Sequence, residues 1–205
     1  CALTFGDQPL GYGIGPALAA REALTTLMGQ GPPDLREKAL SLASILFEMV
    51  GVENPRYLAE EIVDSGKALQ KMYEIIEAQG GDPKVKPSDL PVGPNVVAVK
   101  SSKPGKVLWL STENIVRIAR MAGAPKDKGA GVHLHAKLGE QIRKDGILFE
   151  IYAEKTSKLT AALKLANELT PVTLSKKPEE KMVLDIVPEK LTQEIKVQYV
   201  DVNQL

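Results

Sequence analysis

The 205-residue chain has few of the residue types that several common kinds of binding site require. Cys1 is its only cysteine, which excludes intrachain disulfides and zinc sites built from cysteines. Aromatic residues make up 4% of the chain, too few to favour a surface that stacks nucleic-acid bases. The formal net charge is zero, so binding to nucleic acid or to an anionic membrane is not expected. No apolar run approaches the roughly 20 residues that span a bilayer, and we expect a cytoplasmic protein.

The chain opens with a pattern typical of a strand, a loop and a helix. Residues 2–5 form a short apolar run, which predicts a buried strand. Three glycines between residues 11 and 15 predict a loop, because glycine adopts positive φ angles freely. Pro16 suits the first position of the helix that follows, which we expect to end near Met28.

Three further helical segments follow. Asp34 is predicted to cap the second helix, with Glu37 in the capping-box position. Apolar residues recur in this helix at steps of four and three, which predicts an amphipathic helix. They are Leu35, Ala39, Leu42, Leu46 and Met49. Asn54 is predicted to cap the third helix, and Ser65–Gly66 to interrupt it.

Residues 82–94 contain four prolines and no periodicity, which predicts a linker. Beyond it the pattern mixes strands and helices. Strands are predicted at 96–99, 106–110, 132–136, 147–153, 182–187 and 194–202, and helices at 113–121 and 155–169. The chain is therefore predicted to belong to the α+β class.

Two short motifs suggest ligands. The loop reads G-x-G-x-G, which differs from the dinucleotide pattern G-x-G-x-x-G, so a packing and turn function is favoured. His133 and His135 form H-x-H, which directs both rings to the same face of a strand. Such a pair can bind zinc, but the nearby sequence suggests no third ligand, and a half-exposed strand face is the favoured interpretation.

A series of motifs, in order and at matching spacing, resembles the nucleoside phosphorylases of the thymidine phosphorylase type. The motifs are Asp7-Gln8-Pro9-Leu10-Gly11, Ala20-Arg21-Glu22-Ala23-Leu24, Gly31-Pro32-Pro33-Asp34-Leu35, Ser65-Gly66-Lys67-Ala68-Leu69, Ala78-Gln79-Gly80-Gly81-Asp82, Lys137-Leu138-Gly139-Glu140 and Ile151-Tyr152-Ala153-Glu154. Thr4-Phe5-Gly6-Asp7 and residues 126–131 are more similar to the archaeal AMP phosphorylase branch than to the pyrimidine branch. The match extends from the opening to near Val187.

The resemblance implies a domain organisation. Residues 1–81 would be the helical end of a truncated α/β phosphorylase domain, and residues 82–94 the linker. Residues 95–187 would be a C-terminal domain with a β-hammerhead and flanking helices. Residues 188–205 show no family pattern and would be a tail or an extra strand.

The resemblance also implies a reaction, in which AMP and phosphate give adenine and ribose 1,5-bisphosphate. Such a reaction needs donors that hold phosphate and an acid that protonates the leaving base. In the family these groups lie upstream of the position that matches Cys1, so we assign no catalytic residue here and expect the isolated chain to be inactive. AMP or another nucleoside monophosphate and phosphate are the expected substrates, and a homo-oligomer is expected. The alternatives are a thymidine or pyrimidine nucleoside phosphorylase, and a non-catalytic assembly or binding module; a lipoyl-like carrier is disfavoured because no Met-Lys-Met sequence occurs.

One family site does map onto this chain. The pyrimidine branch is implied to bind a monovalent cation, potassium, through two backbone carbonyls of this loop and one glutamate of the next helix. The matching positions are Leu10, Gly13 and Glu22. A hard cation prefers several oxygens, and a bent loop can direct carbonyls to one point. No other cofactor is implied.

Overall fold

A computed structural model describes residues 1–175 of the chain. Its helices are α1 (Pro16–Leu27), α2 (Pro33–Met49), α3 (Pro55–Asp64), α4 (Lys67–Ala78), α5 (Thr112–Ala122) and α6 (Thr156–Leu169), with a 3₁₀ turn at Pro87–Asp89. Its strands are β1 (Gly13–Ile14), β2 (Asn95–Lys100), β3 (Gly105–Leu110), β4 (Gly131–Leu134), β5 (Gln141–Ile142), β6 (Ile147–Ala153) and β7 (Val172–Leu174). The predicted α+β class is confirmed. The strands predicted at 182–187 and 194–202, and the tail at 188–205, lie outside the described residues.

The strands form two antiparallel sheets. The larger has the order β1-β4-β6-β2, and the smaller has the order β5-β3-β7. The longest pairing joins the edge strand β2 to β6, from Asn95 opposite Ala153 to Lys100 opposite Ile147. The short strand β1 belongs to the glycine loop and extends the larger sheet through β4. The loop is therefore attached directly to the sheet of the residues beyond the linker.

The core of the described chain lies between the larger sheet and helices α5 and α6. In α5 the apolar residues recur at helical spacing, and Ile115 and Ile118 are fully buried. In β6 the alternation places Phe149 and Ile151 on the same buried face. Ser111 caps α5 by accepting a hydrogen bond from the Asn114 amide at 3.2 Å.

The predicted opening strand at residues 2–5 is wrong. These residues form no strand, and Leu3 and Phe5 are 98% and 61% exposed. An extended segment becomes a strand only when a neighbouring strand satisfies its backbone groups, and none pairs with residues 2–5 in the described chain.

The amphipathic helix predicted here is observed as α2, but its apolar stripe is largely exposed in the described residues. Leu42, Leu46 and Met49 are 41%, 63% and 76% exposed. The buried contact is instead made by Leu40, which is 2% exposed where α2 packs against α3 and Ala59. The helix carries apolar residues on two sides, and the periodicity of one set does not decide which side meets a neighbour.

The starts of α1 and α3 are located correctly, but α2 begins before its predicted cap, and neither predicted cap is formed. Helix α2 begins at Pro33 after Pro32, so Asp34 lies inside the first turn and its carboxylate is free to bind elsewhere. Asn54 precedes α3 with a φ of 54° and makes no side-chain cap. The interruption at Ser65–Gly66 is confirmed, because α3 ends at Asp64 and α4 begins at Lys67.

Residues 82–94 are anchored at two points. The Arg21 guanidinium donates from Nε to the Leu90 carbonyl at 2.8 Å, and the Gly93 amide donates to the Gly129 carbonyl at 2.7 Å. The second half of the segment therefore lies against both α1 and the loop before β4. Within residues 1–175, no helix has the length and apolar character needed to cross a membrane.

Candidate functional site

The glycine loop is held against the sheet by its backbone. Gly13 lies opposite His133 in the β1–β4 pair, and the Leu134 amide donates to the Tyr12 carbonyl at 2.8 Å. Gly15 has a φ of 139° and lies directly against the backbone of Ala130, where a side chain would collide. A glycine is required at this position both for the backbone angle and for the close approach.

Glu22 extends from α1 back to the same loop. Its two carboxylate oxygens accept hydrogen bonds from the Tyr12 amide at 2.9 and 3.0 Å. Gly11 has a φ of 66°, and a β-carbon there would overlap the Glu22 carboxylate. Glycine at position 11 of the loop therefore leaves room for the carboxylate of Glu22, which extends from α1.

Lys137 joins three parts of the chain beneath this loop. The residue is 6% exposed, and its Nζ donates to the Pro9 carbonyl at 2.6 Å and to Asp34 Oδ2 at 3.0 Å. Its ammonium lies 5.0 Å from the centre of the Tyr12 ring, within the range of a cation–π contact. Asp34 also accepts from the Gly11 amide at 3.2 Å. The lysine after β4 thus ties the loop to the first turn of α2.

The charges of this cluster affect two pKa values. Burial of Asp34 by itself opposes ionisation, but the hydrogen bond and charge of Lys137, helped by the Leu35 and Gly11 amides, outweigh it and hold the pKa of Asp34 below its usual value. Burial raises the pKa of Tyr12, and the nearby carboxylates raise it further. Asp34 is therefore present as an anion at neutral pH.

This arrangement is poorly suited to bind phosphate. The Gly11 and Tyr12 amides, which could donate to an anion, already donate to carboxylates of the chain. Those carboxylates would also repel a phosphate group. The structure places Glu22 at the loop that contains Leu10 and Gly13, the two predicted carbonyl ligands. The monovalent cation site stays a prediction.

A second cluster contains His133 and His135, which lie on a half-exposed strand face as predicted. Glu150 lies opposite His133 in the β4–β6 pair and supplies the third group that the nearby sequence does not suggest. His135 Nε2 is 3.0 Å from Glu150 Oε2, and one ligand atom from each of the three residues lies within 4.8 Å of the others. The Tyr152 hydroxyl donates to the same Glu150 oxygen at 3.0 Å.

Burial and neighbouring charge also shift pKa values in this cluster. Burial lowers the pKa of His133, and the adjacent His135 lowers it further. The hydrogen bond from His135 is the main reason that the pKa of Glu150 lies below its usual value. The cluster therefore combines a neutral imidazole with a carboxylate that ionises readily.

Asp34, Lys137 and Glu150 are the site residues that sequence reasoning missed. Asp34 and Lys137 are 103 positions apart, and no local pattern connects them. The sequence gives a weak indication of Glu150, because it occupies an outward-facing position between two buried residues of β6. That indication places Glu150 on a face, but it does not say which residue of β4 lies opposite.

Residues 107–173 match the family of the pyrimidine nucleoside phosphorylase C-terminal domain. This range begins in β3 and ends in β7, so it includes α5, α6 and the three strands between them. The match covers the Lys137 side of the loop cluster and all three residues of the His133 cluster.

The chain is similar to archaeal AMP phosphorylases over nearly all of its length. It is 50% identical to that of Pyrococcus abyssi over 191 residues and 49% identical to that of Pyrococcus horikoshii over 190 residues, in each case 91% of this chain. It is 44% identical to that of Thermofilum pendens over 182 residues, or 89% of this chain. The chain spans 37% of the length of the two Pyrococcus proteins and 36% of that of the third. The resemblance predicted from the sequence motifs is confirmed, and the chain belongs to the nucleoside phosphorylase family that includes the archaeal AMP phosphorylases.

Proposed function

We propose that this chain forms one portion of an AMP phosphorylase, an enzyme that converts AMP and phosphate to adenine and ribose 1,5-bisphosphate. The observation that carries this proposal is the identity near 50% with AMP phosphorylases across 91% of the chain. The portion would support the active-site cleft, and groups outside these 205 residues would bind phosphate and protonate the leaving base.

The geometry of the glycine loop supports a structural function for this chain, with phosphate bound by groups outside it. The amides of Gly11 and Tyr12 donate to carboxylates of the chain, so they are not available to a phosphate ion. Glu22, Asp34 and Lys137 all make contacts within the loop cluster. The cluster therefore acts to fix the loop in one conformation, and the 205-residue chain alone is expected to release no adenine.

A chimera tests the proposal directly. This chain would replace the matching segment of the Pyrococcus abyssi AMP phosphorylase, and adenine release from AMP and phosphate would be measured for the chimera, the parent and the 205-residue chain alone. We expect the chimera to be active, because it retains the loop, the helices and the domain after the linker. Uridine, thymidine and other nucleoside monophosphates would be tested alongside AMP to decide between the two branches of the family.

Folding of the chimera must be established separately from its activity. Circular dichroism and size-exclusion chromatography would show whether it folds and assembles like the parent. A chimera that folds, assembles and binds AMP but releases no adenine would contradict the proposal. Adenine release by the isolated chain would contradict the assignment of catalysis to groups outside it.

We also propose that Leu10, Gly13 and Glu22 contribute to a potassium site in the assembled enzyme. Glu22 supports this, because its two carboxylate oxygens share a single donor, the Tyr12 amide, and retain lone pairs that can bind a cation. Adenine release by the chimera would be measured against potassium concentration, with choline keeping ionic strength constant. We expect Glu22→Gln to weaken the potassium response, and an unchanged response together with unchanged stability would contradict the site.

A non-catalytic assembly module is the second candidate. The exposed apolar residues Leu46, Met49 and Val50 at the end of α2 favour it, because such a patch is typical of a surface that contacts another protein. The chimera distinguishes the two candidates, since an assembly module would fold and associate without restoring phosphorolysis. Light scattering of the isolated chain would show whether it forms a homo-oligomer by itself.

A further inference from the structure

We propose that His133, His135 and Glu150 form a zinc site on the outer face of the larger sheet. The proposal does not depend on the proposed reaction, because it concerns metal binding by three side chains of β4, β6 and the residue after β4, and its test measures no phosphorolysis. Two imidazoles and one carboxylate are a common ligand set for zinc sites that keep one position open to water.

The backbone brings the three side chains together. His133 and His135 are two positions apart, so both lie on the face opposite the buried Val132 and Leu134. The antiparallel pairing of β4 with β6 then places Glu150 directly across from His133. The ligand set therefore follows from strand geometry and does not depend on a flexible loop.

The distances are close to those that a metal ion requires. Tetrahedral zinc with bonds of about 2.1 Å holds its ligand atoms about 3.4 Å apart. His135 and Glu150 are already within 3.0 Å, and all three ligand atoms lie within 4.8 Å of one another. Side-chain rotations that bring the farthest ligand atoms up to about 1.4 Å closer would complete the site, and the sheet itself would not need to move.

The surroundings resemble those of a metal site in two respects. The Tyr152 hydroxyl donates to Glu150 and orients its carboxylate, as groups around metal ligands commonly do. His133 Nδ1 is buried and has no hydrogen-bond partner among residues 1–175. A buried nitrogen without a partner calls for an explanation, and a bound ion or an ordered water is the usual one.

Access and charge determine how the ion would bind. The side chains of His135 and Glu150 are 38% and 25% exposed, so an ion can enter from solvent and keep a water ligand. Lys100, Arg143 and Lys144 line the same depression as His135 and would reduce the attraction for a cation. The borderline-soft zinc ion is therefore favoured over magnesium or calcium, because imidazole nitrogens hold it by coordination as well as by charge.

Calorimetric titration of the metal-free 205-residue chain with zinc chloride tests the site. The experiment uses a Cys1→Ser background, because an exposed terminal thiol and amine can bind zinc by themselves. We expect one zinc ion per chain, with affinity at least tenfold lower in His135→Gln and in Glu150→Gln. Glu168→Gln is the matched control, because Glu168 is exposed on α6 and should bind as the parent does.

Nitrogen-15 spectra of the imidazole rings provide a readout that needs no variant. The chain contains only two histidines, so each ring can be assigned and the nitrogen that binds metal identified. Zinc should shift the resonances of both rings at one equivalent. The proposal is overturned if either ring stays unchanged, or if folded His135→Gln and Glu150→Gln variants bind zinc with the parent's affinity.

Discussion

Replacement of Lys137 by methionine should destabilise the chain by uncoupling the glycine loop from α2. Methionine keeps nearly the volume of the lysine stem, so the change removes the ammonium and little of the packing. The ammonium donates to the Pro9 carbonyl at 2.6 Å and to Asp34 at 3.0 Å, and it lies 5.0 Å from the Tyr12 ring centre. All three contacts are lost at once.

The expected loss of stability is the sum of these three contacts less the energy needed to dehydrate the ammonium. The two hydrogen bonds are donated by a charged group and contribute about 1.5 kcal/mol each, at the lower end for such bonds. The contact with the Tyr12 ring adds about 0.5–1 kcal/mol. Removing an ammonium that is only 6% exposed in the folded chain offsets about 2 kcal/mol of this sum, because the lysine no longer has to be dehydrated on folding. We therefore expect the free energy of unfolding to fall by about 2 kcal/mol.

A double-mutant cycle separates the contribution of the ion pair from that of the Pro9 carbonyl. The Asp34 side chain is 35% exposed, so water screens the pair, and its coupling with Lys137 should be about 1 kcal/mol. Urea unfolding of Lys137→Met, Asp34→Asn and the double variant would be followed by circular dichroism and by Trp109 fluorescence. Coincident transitions from the two signals would establish that two-state analysis applies.

Lys164→Met is the matched control, because Lys164 is exposed on α6 and should change stability by less than about 0.5 kcal/mol. Hydrogen exchange would locate the effect, since the Gly11 amide bonds to Asp34 and should lose protection in Lys137→Met. The reasoning is refuted if Lys137→Met is as stable as Lys164→Met. It is also refuted if Asp34→Asn lowers the free energy of unfolding by the same amount in the parent chain and in Lys137→Met.

Three further outcomes are expected. The first concerns Asp34, which binds a proton less readily in the folded chain than in the unfolded chain. Its contribution to stability is therefore complete above a pH of about 4 and is lost as the pH falls further. Urea titrations at several pH values should show that Asp34→Asn reduces this acid sensitivity. Gly15→Ala should cost more than about 2 kcal/mol in the same assay because its β-carbon meets backbone, whereas Gly29→Ala, with a positive φ but open space, should cost about 1 kcal/mol. Ile118→Ala should lower the free energy of unfolding by about 2–5 kcal/mol because the side chain is fully buried, whereas Met121→Ala on the exposed side of α5 should change it by less than about 1 kcal/mol; equal effects would contradict the described core.

Sequence patterns predict the elements of the core well because local pattern and burial agree there. The helix predicted at 113–121 is observed as α5, Thr112–Ala122, and its apolar residues Ile115 and Ile118 are fully buried. In β6 the predicted bounds coincide with the observed strand, Ile147–Ala153. Short strands escape prediction for the opposite reason: β1 and β5 have two residues each, and they exist because a neighbouring strand pairs with them.

Helix α2 shows why a strong pattern can mislead. The steps of four and three that include Leu42 and Leu46 describe a real apolar stripe, yet that stripe is exposed in the described chain. Leu40 belongs to another side of the same helix and makes the buried contact with α3. Periodicity measures how side chains are distributed around a helix axis, and the choice of the buried side depends on tertiary contacts that are distant in sequence.

The two clusters could not be predicted for a related reason, since both are created by pairing across β4. Strand β4 places His133 between Gly13 of the loop strand and Glu150 of β6, and Lys137 follows shortly after the same strand. Tyr12 touches both clusters, because its ring stacks on His133 at 6.1 Å and lies beneath the Lys137 ammonium. Motifs identify the loop, but only the alignment of three strands shows that its tyrosine connects a lysine-centred cluster to the ligands of the proposed zinc site.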